Sequence, residues 1–210
     1  MAVEIEIKAW VDDTEALERR VDKIADFVGT EIKEDIYYHF YPLNKPGHGR
    51  VETQGEDETQ DEAEDEDEDV LNNGKPLAFR LRKSGETSIL TWKKKFVSED
   101  MEQNIEREFT LSDYETAKDF IAYLGAWEFI RKRKRCRVYK KGKLQIELNH
   151  VVSLGDFIEI EKIVPDTKTE EIEQARRDVR SLLEELGIAS EKIEKRFYTD
   201  LLQEVSHGNT

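Results

Sequence analysis

Two glutamates and a lysine open the chain at every second position: Glu4, Glu6 and Lys8, with Val3, Ile5 and Ile7 around them. Period two is the signature of a β-strand, so the charges project from one face and the aliphatic side chains from the other. The pattern returns near the C-terminal end, where Glu159 and Glu161 alternate with Ile158 and Ile160. Cations recur at the same spacing in the pairs Arg80 and Arg82, Lys93 and Lys95, and Lys132 and Lys134. A solvated sheet face explains any one of these strands alone. Taken together they are unlike a plain wet face, which mixes signs with Ser and Thr. If the strands close with these faces inward, the interior must bind a strongly anionic ligand, because buried cations lacking an anion are too costly to persist.

Magnitude favours such a ligand over mutual neutralisation. At an effective dielectric of about 20, one charge pair at about 4 Å is worth about 4 kcal/mol before desolvation. A polyphosphate offers enough charge to occupy every cation. Carboxylates in the same cavity repel phosphate, so Glu4, Glu6, Glu159 and Glu161 are best read as ligands for a hard Mg²⁺ or Mn²⁺ that bridges to phosphate oxygens. Glu106 and Glu108, again two apart, either complete a second metal position or anchor the basic side chains.

The elements that must position these residues follow from periodicity and punctuation. Strand 1 is expected over 3–11. Asp12 and Asp13 then cap a helix with apolar face Leu17, Val21, Ile24 and Val28, stopped at Gly29. A second strand covers about 31–41 and breaks at Pro42. Further strands are expected over 77–84, 87–95, 104–110, 127–140, 143–152 and 157–164. The first two of these are joined by a Gly85-Glu86 hairpin signal. A helix opening at the Ser112-Asp113-Tyr114-Glu115 capping pattern precedes the 127–140 strand. A long amphipathic helix follows Pro165, and a short helical tail covers about 191–205. The predicted class is α+β: eight antiparallel strands, enough to close a barrel, with flanking helices. One domain is expected over 1–205, with a tail at 206–210.

The net charge of −15 misleads. Glu52 to Asp69 holds 12 acidic and no basic residues, leaving 36 acids and 33 bases in the rest, a net of −3. The insertion at about 44–76 has almost no apolar content and is expected to be solvated and disordered. Spread-out halophilic acidity is thereby disfavoured. No long apolar run or signal-like start is found, and Cys136 is the single cysteine, so a soluble, cytoplasmic protein without disulfides is expected.

Other chemistries find no support. His39, His48, His150 and His207 show no ligand spacing. Cys136 has no histidine placed to pair with it and reads as structural. There is no P-loop or dinucleotide fingerprint. Basic strand residues without interleaved stacking aromatics, beside an acidic loop, argue against nucleic acid.

The ordered set of motifs resembles the CYTH superfamily, the triphosphate tunnel metalloenzymes, and within it the class IV adenylyl cyclase-like branch. Glu4-Ile5-Glu6-Ile7-Lys8 matches the N-terminal E-x-E-x-K signature. Asp35-Ile36-Tyr37-Tyr38, Phe79-Arg80-Leu81-Arg82, Leu90-Thr91-Trp92-Lys93, Glu106-Arg107-Glu108, Leu154 to Glu161 and Phe197 to Leu202 follow in family order. The resemblance implies an eight-stranded antiparallel tunnel and metal-dependent chemistry on ATP, an organic triphosphate or tripolyphosphate. By that likeness Lys8, Arg80, Arg82, Lys93 and a basic pair of the sixth strand hold phosphates, while Glu4, Glu6, Glu159 and Glu161 hold metal. One metal would position the triphosphate and another would activate water or the substrate's own 3′-hydroxyl.

Lys132 and Lys134 have the parity for the basic pair, whereas Arg133 and Arg135 take over if that strand is bulged. Lys95 joins the phosphate set, and Glu108 the metal set. Two departures stand out: Asn149 occupies a usual aspartate position, and Cys136 a position where a tunnel cation is common. The expected function is adenylyl cyclase-like, with a triphosphatase as the alternative and a non-catalytic polyphosphate or nucleotide-binding module as the alternative of another class. The expected partner is a triphosphate small molecule, with no nucleic acid or membrane and with a homodimer left open.

Overall fold

The computed structural model describes residues 2–41, 77–98, 101–165 and 169–208, with the side chains of 77, 93–98 and 208 excepted. The acidic insertion at about 44–76 therefore lies outside the described residues. Eight strands run in chain order: β1 (Ala2–Trp10), β2 (Asp26–Phe40), β3 (Leu77–Ser84), β4 (Thr87–Ser98), β5 (Met101–Leu111), β6 (Trp127–Lys141), β7 (Leu144–Val151) and β8 (Gly155–Pro165). The helices are α1 (Thr14–Val21), α2 (Tyr114–Tyr123), α3 (Thr169–Glu185) and α4 (Tyr198–Gly208). All neighbouring strands are antiparallel, and they close in the order β1-β5-β4-β3-β2-β6-β7-β8. This is the antiparallel barrel that the alternation implied. Gly85 takes a positive φ of 56° at the β3–β4 turn, as a tight hairpin requires. Among the described residues no helix is long and apolar enough to cross a membrane.

The barrel is built inside out relative to a packed one. Val3, Ile5, Ile7 and Ala9 of β1, with Ile146, Leu148, Ile158 and Ile160, point outward and are buried against Leu17 and Val21 of α1 and Ala175, Val179 and Leu182 of α3. A second, smaller core joins Ile36, Tyr38 and Leu81 to Ile121 of α2. Burying each large aliphatic side chain contributes about 1.5–3 kcal/mol, so the stabilising layer lies between barrel and helices. The interior is thereby left to polar side chains.

The boundaries of α1 and β2 differ most from expectation. α1 ends at Val21 rather than near Gly29, and β2 begins at Asp26. The long β6 supplies pairing for this early segment, with Asp26 opposite Lys140 and Phe27 opposite Tyr139. Gly29 sits at a register irregularity inside the strand, and Val28 is exposed rather than buried. Sheet pairing here overrides a helical spacing that continued past the helix by coincidence. The expected tail helix over 191–205 is also divided. A 3-10 turn at Ser190–Lys192 leads to Ile193, which bridges Ala9, before α4 begins at Tyr198. At α2 the cap is Asp113, whose carboxylate accepts from the Thr116 amide at 2.6 Å.

Candidate active site

The inward positions of the strands line one cavity of about 790 Å³. Glu4, Glu6, Lys8, Arg80, Arg82, Glu108, Lys132, Lys134, Glu159 and Glu161 all line it. Strand alternation places each of them, and register brings Glu6 opposite Glu161 and Lys8 opposite Glu159. In β6 the even residues Lys132 and Lys134 are buried inside, while Arg131, Arg133 and Arg135 are exposed outside. Lys93 and Lys95 lie on β4 opposite Glu106 and Asn104, but their side chains are outside the described residues.

Within the cavity the charges separate into two groups. Glu4, Glu6 and Glu161 each offer an oxygen within 4.8 Å of the others. Asn104 donates to Glu4 at 3.3 Å, and Gln145 donates to Glu161 at 2.8 Å. Burial, then the charges of Glu4 and Glu6, push the Glu161 carboxyl up to about 10. Three carboxylates crowded in this way suit a small hard cation, which removes the repulsion that otherwise retains a proton. Among the described residues the buried Asn104 Oδ1 has no hydrogen-bond partner, so a fourth oxygen beside Glu4 is unused. An all-oxygen donor set of this kind fits Mg²⁺ or Mn²⁺.

The second group is cationic and internally paired. Asp35 receives both Arg82 Nε and Nη2, at 2.7 and 2.9 Å, and lies 3.1 Å from Lys132 Nζ. Burial alone would raise the Asp35 pKa, but Lys132 and Arg82 outweigh it and hold the carboxyl well below the usual range. Lys134 donates to Glu147 at 2.8 Å and Glu159 at 2.7 Å, and Lys33 reaches Glu147 at 2.6 Å. Lys8 donates to Glu102 at 3.3 Å and to the Arg196 carbonyl at 2.6 Å. Mutual neutralisation, which magnitude had disfavoured, is thus present, because unpaired charges this deeply buried are too costly. Glu159 belongs to this network and not to the three-carboxylate cluster. Glu108 is exposed and 3.4 Å from the Thr91 hydroxyl, also outside the cluster.

Several contributors escaped the sequence reading. Asp35, Glu102 and Glu147 were not marked as counterions, although each shares the parity of its strand's inward residues. Tyr198, at the start of α4, places its ring 4.5 Å from Lys8 Nζ and 4.8 Å from Lys132 Nζ. It packs on Phe157 and closes one end of the barrel with Val151 and Leu201. The strongest signal for Tyr198 was the Phe197 to Leu202 motif, which carried no assigned role.

Cys136 and Asn149 face each other in register and are fully buried, but neither lines the cavity. Burial pushes the Cys136 thiol up to about 12. The folded protein is therefore expected to resist an aromatic disulfide reagent at about pH 8, with labelling only as fast as unfolding. Rapid labelling of the native protein would show that the thiol is accessible after all.

The profile of the CYTH domain family matches residues 52–198. A protein of Methanocaldococcus jannaschii, provisionally named an adenylate cyclase, is 24% identical over 200 residues, covering 95% of this chain and 98% of its own. A solved structure from Pyrococcus horikoshii is 25% identical, with TM-score 0.70, over 96% of this chain and 98% of that one. A provisionally named adenylyl cyclase of Hippeastrum, described as having a dominant triphosphatase activity, is 14% identical with TM-score 0.58. That match covers 99% of this chain and 96% of the other, and at such identity the likeness is one of fold.

Proposed function

The chain belongs to the CYTH domain family, and on that footing we propose a metal-dependent enzyme that acts on a triphosphate inside the barrel, converting ATP to cyclic AMP and pyrophosphate. The observation that carries this reading is the meeting, in one cavity, of a three-carboxylate cluster with converging cations. The name given to the Methanocaldococcus jannaschii relative supports the cyclase form of it. The fold itself does not choose between cyclisation and hydrolysis, since function resides in sites and not in folds.

In this reading Glu4, Glu6 and Glu161 hold the Mg²⁺ or Mn²⁺, which supplies charge neutralisation at phosphate oxygens. Arg80, Arg82, Lys132, Lys134 and Lys8 orient the phosphate chain, exchanging some of their carboxylate partners for phosphate. Lys93, as the family likeness suggests, and Lys95, two residues farther along the same strand, join them. The enclosed barrel limits water and strengthens each charge interaction.

Among the described cations of the cavity, Arg80 is the one most ready to receive phosphate. Its Nη2 donates to Thr91 at 3.0 Å, while its buried Nε has no hydrogen-bond partner among the described residues. Arg80→Ala is expected to weaken tripolyphosphate binding about 10-fold or more, the scale of a charge-assisted hydrogen bond, with little change in stability. Unchanged affinity in a calorimetric titration would place Arg80 outside the binding set.

The reaction is tested by incubating the protein with Mg²⁺ or Mn²⁺ and ATP or tripolyphosphate, then resolving the products by chromatography. Cyclic AMP with pyrophosphate is the expected result. Orthophosphate with diphosphate products would make it a triphosphatase. Tight binding without turnover would make it a binding module.

A further inference from the structure

The cavity changes character toward the end where β1 starts and β8 finishes. There His39 and Phe129 replace charged side chains in the lining, with Ala78 and Ile163 beside them. A backbone irregularity puts one of these rings in place. On β2, Tyr37 opposes Ile130 while the next residue, Tyr38, opposes Glu128, so Phe129 is an extra residue of β6. The inward residues farther along β6 are even-numbered, Lys132 and Lys134, and a regular strand would turn Phe129 outward. A bulge of this kind re-aims a side chain, and here it turns an aromatic ring into the cavity.

His39 meets that ring face to face, with centroids 4.0 Å apart and planes 16° apart. Trp127 braces the imidazole edge-on, with centroids 5.9 Å apart at 88°. Burial lowers the imidazole pKa from its ordinary value, which favours the neutral ring. Rings needed only for packing have a place on the outer side of the barrel, where Ile36, Tyr38 and Leu81 meet α2. His39 and Phe129 are instead directed to the lumen, both half-buried.

We infer that His39 and Phe129 form a stacking platform for the heteroaromatic base of a nucleoside triphosphate, whose phosphates run inward past Arg80. This rests on the proposed function and adds the residues that would hold the base and so favour a nucleotide over inorganic tripolyphosphate. His39 lies opposite Ala78 and Tyr37 opposite Arg80, so the platform stands one inward position above the first cation. Two strand residues span about 7 Å, a separation that a ribose can bridge. Stacking tolerates any base, so the platform selects nucleotides over inorganic tripolyphosphate without choosing among bases.

Calorimetric titration of the full chain with ATP and with tripolyphosphate, each with Mg²⁺, tests this. The parent should bind ATP more tightly than tripolyphosphate. Phe129→Ala should lose ATP affinity by about 10-fold, the scale of one stacked base, and keep its tripolyphosphate affinity. Phe129→Leu, which retains bulk without an aromatic face, gives the same readout if the alanine variant does not fold. Equal losses for both ligands, or no loss for either, overturn the platform. A parent that binds tripolyphosphate as tightly as ATP also overturns it, while leaving the triphosphate reading intact. A parent that binds neither ligand refutes that reading and the inference with it.

Discussion

Glu6→Ala is expected to abolish metal-dependent turnover, a loss of at least about 100-fold, while leaving the folded protein as stable as the parent or more so. The two effects have opposite signs for one physical reason. Glu6 is buried within reach of Glu4 and Glu161, and the charges of Glu4 and Glu6 help to keep a proton on Glu161. Removing one of three crowded carboxylates relieves repulsion, so folding does not suffer. It also deletes an oxygen donor from the set that would hold the cation, and with it the neutralisation of phosphate charge. Glu6→Gln, which preserves shape, should behave alike. Initial rates at saturating Mg²⁺, alongside urea unfolding, check both halves. Undiminished turnover would remove Glu6 from the metal assignment, and a large stability loss would recast it as a structural partner.

Asp35→Ala is expected to act in the reverse sense. Its carboxylate is fully buried and compensates both Arg82 and Lys132. Breaking such a network leaves buried charge uncompensated, at about 3–5 kcal/mol. The freed cations should in turn bind tripolyphosphate more tightly, and the ligand should restore much of the lost stability. The linkage has a definite sign. Asp35 has its carboxyl depressed by folding, so its contribution is full above the unfolded value of about 4 and is lost as pH falls toward the lower folded value. The stability gap between parent and variant should therefore be constant near neutrality and narrow below about pH 4. Urea unfolding with and without tripolyphosphate measures it. A gap of less than about 1 kcal/mol, the scale of a surface pair, would mean that solvent already screens these charges.

What could be read in the sequence followed from parity. The alternation in β1 and β8 announced Glu4, Glu6, Lys8, Glu159 and Glu161 as one inward face, and the parity of Lys132 and Lys134 was right for β6. Parity says which face a side chain occupies but not which neighbour it meets. Glu159 therefore read as a companion of Glu161, although register sets it beside Lys8 and Glu147, where Lys134 claims it. Asp35 and Glu147 were overlooked for the same reason, since a counterion is defined by the strand across from it. Phe129 was beyond such reading altogether, because a bulge breaks the alternation on which parity depends. At α1 the spacing of Leu17, Val21, Ile24 and Val28 mimicked a longer helix, and only the length of β6 explains why the chain turns into a strand at Asp26.

One cavity is proposed to hold both a divalent cation, at the carboxylate cluster, and a triphosphate, at the cations. Anomalous scattering from crystals grown with Mn²⁺ and tripolyphosphate tests it most directly. A manganese peak is expected among Glu4, Glu6 and Glu161, with phosphate density reaching Arg80 and Lys132. Manganese elsewhere, or tripolyphosphate bound on the outer face beside Arg133 and Arg135, would contradict it.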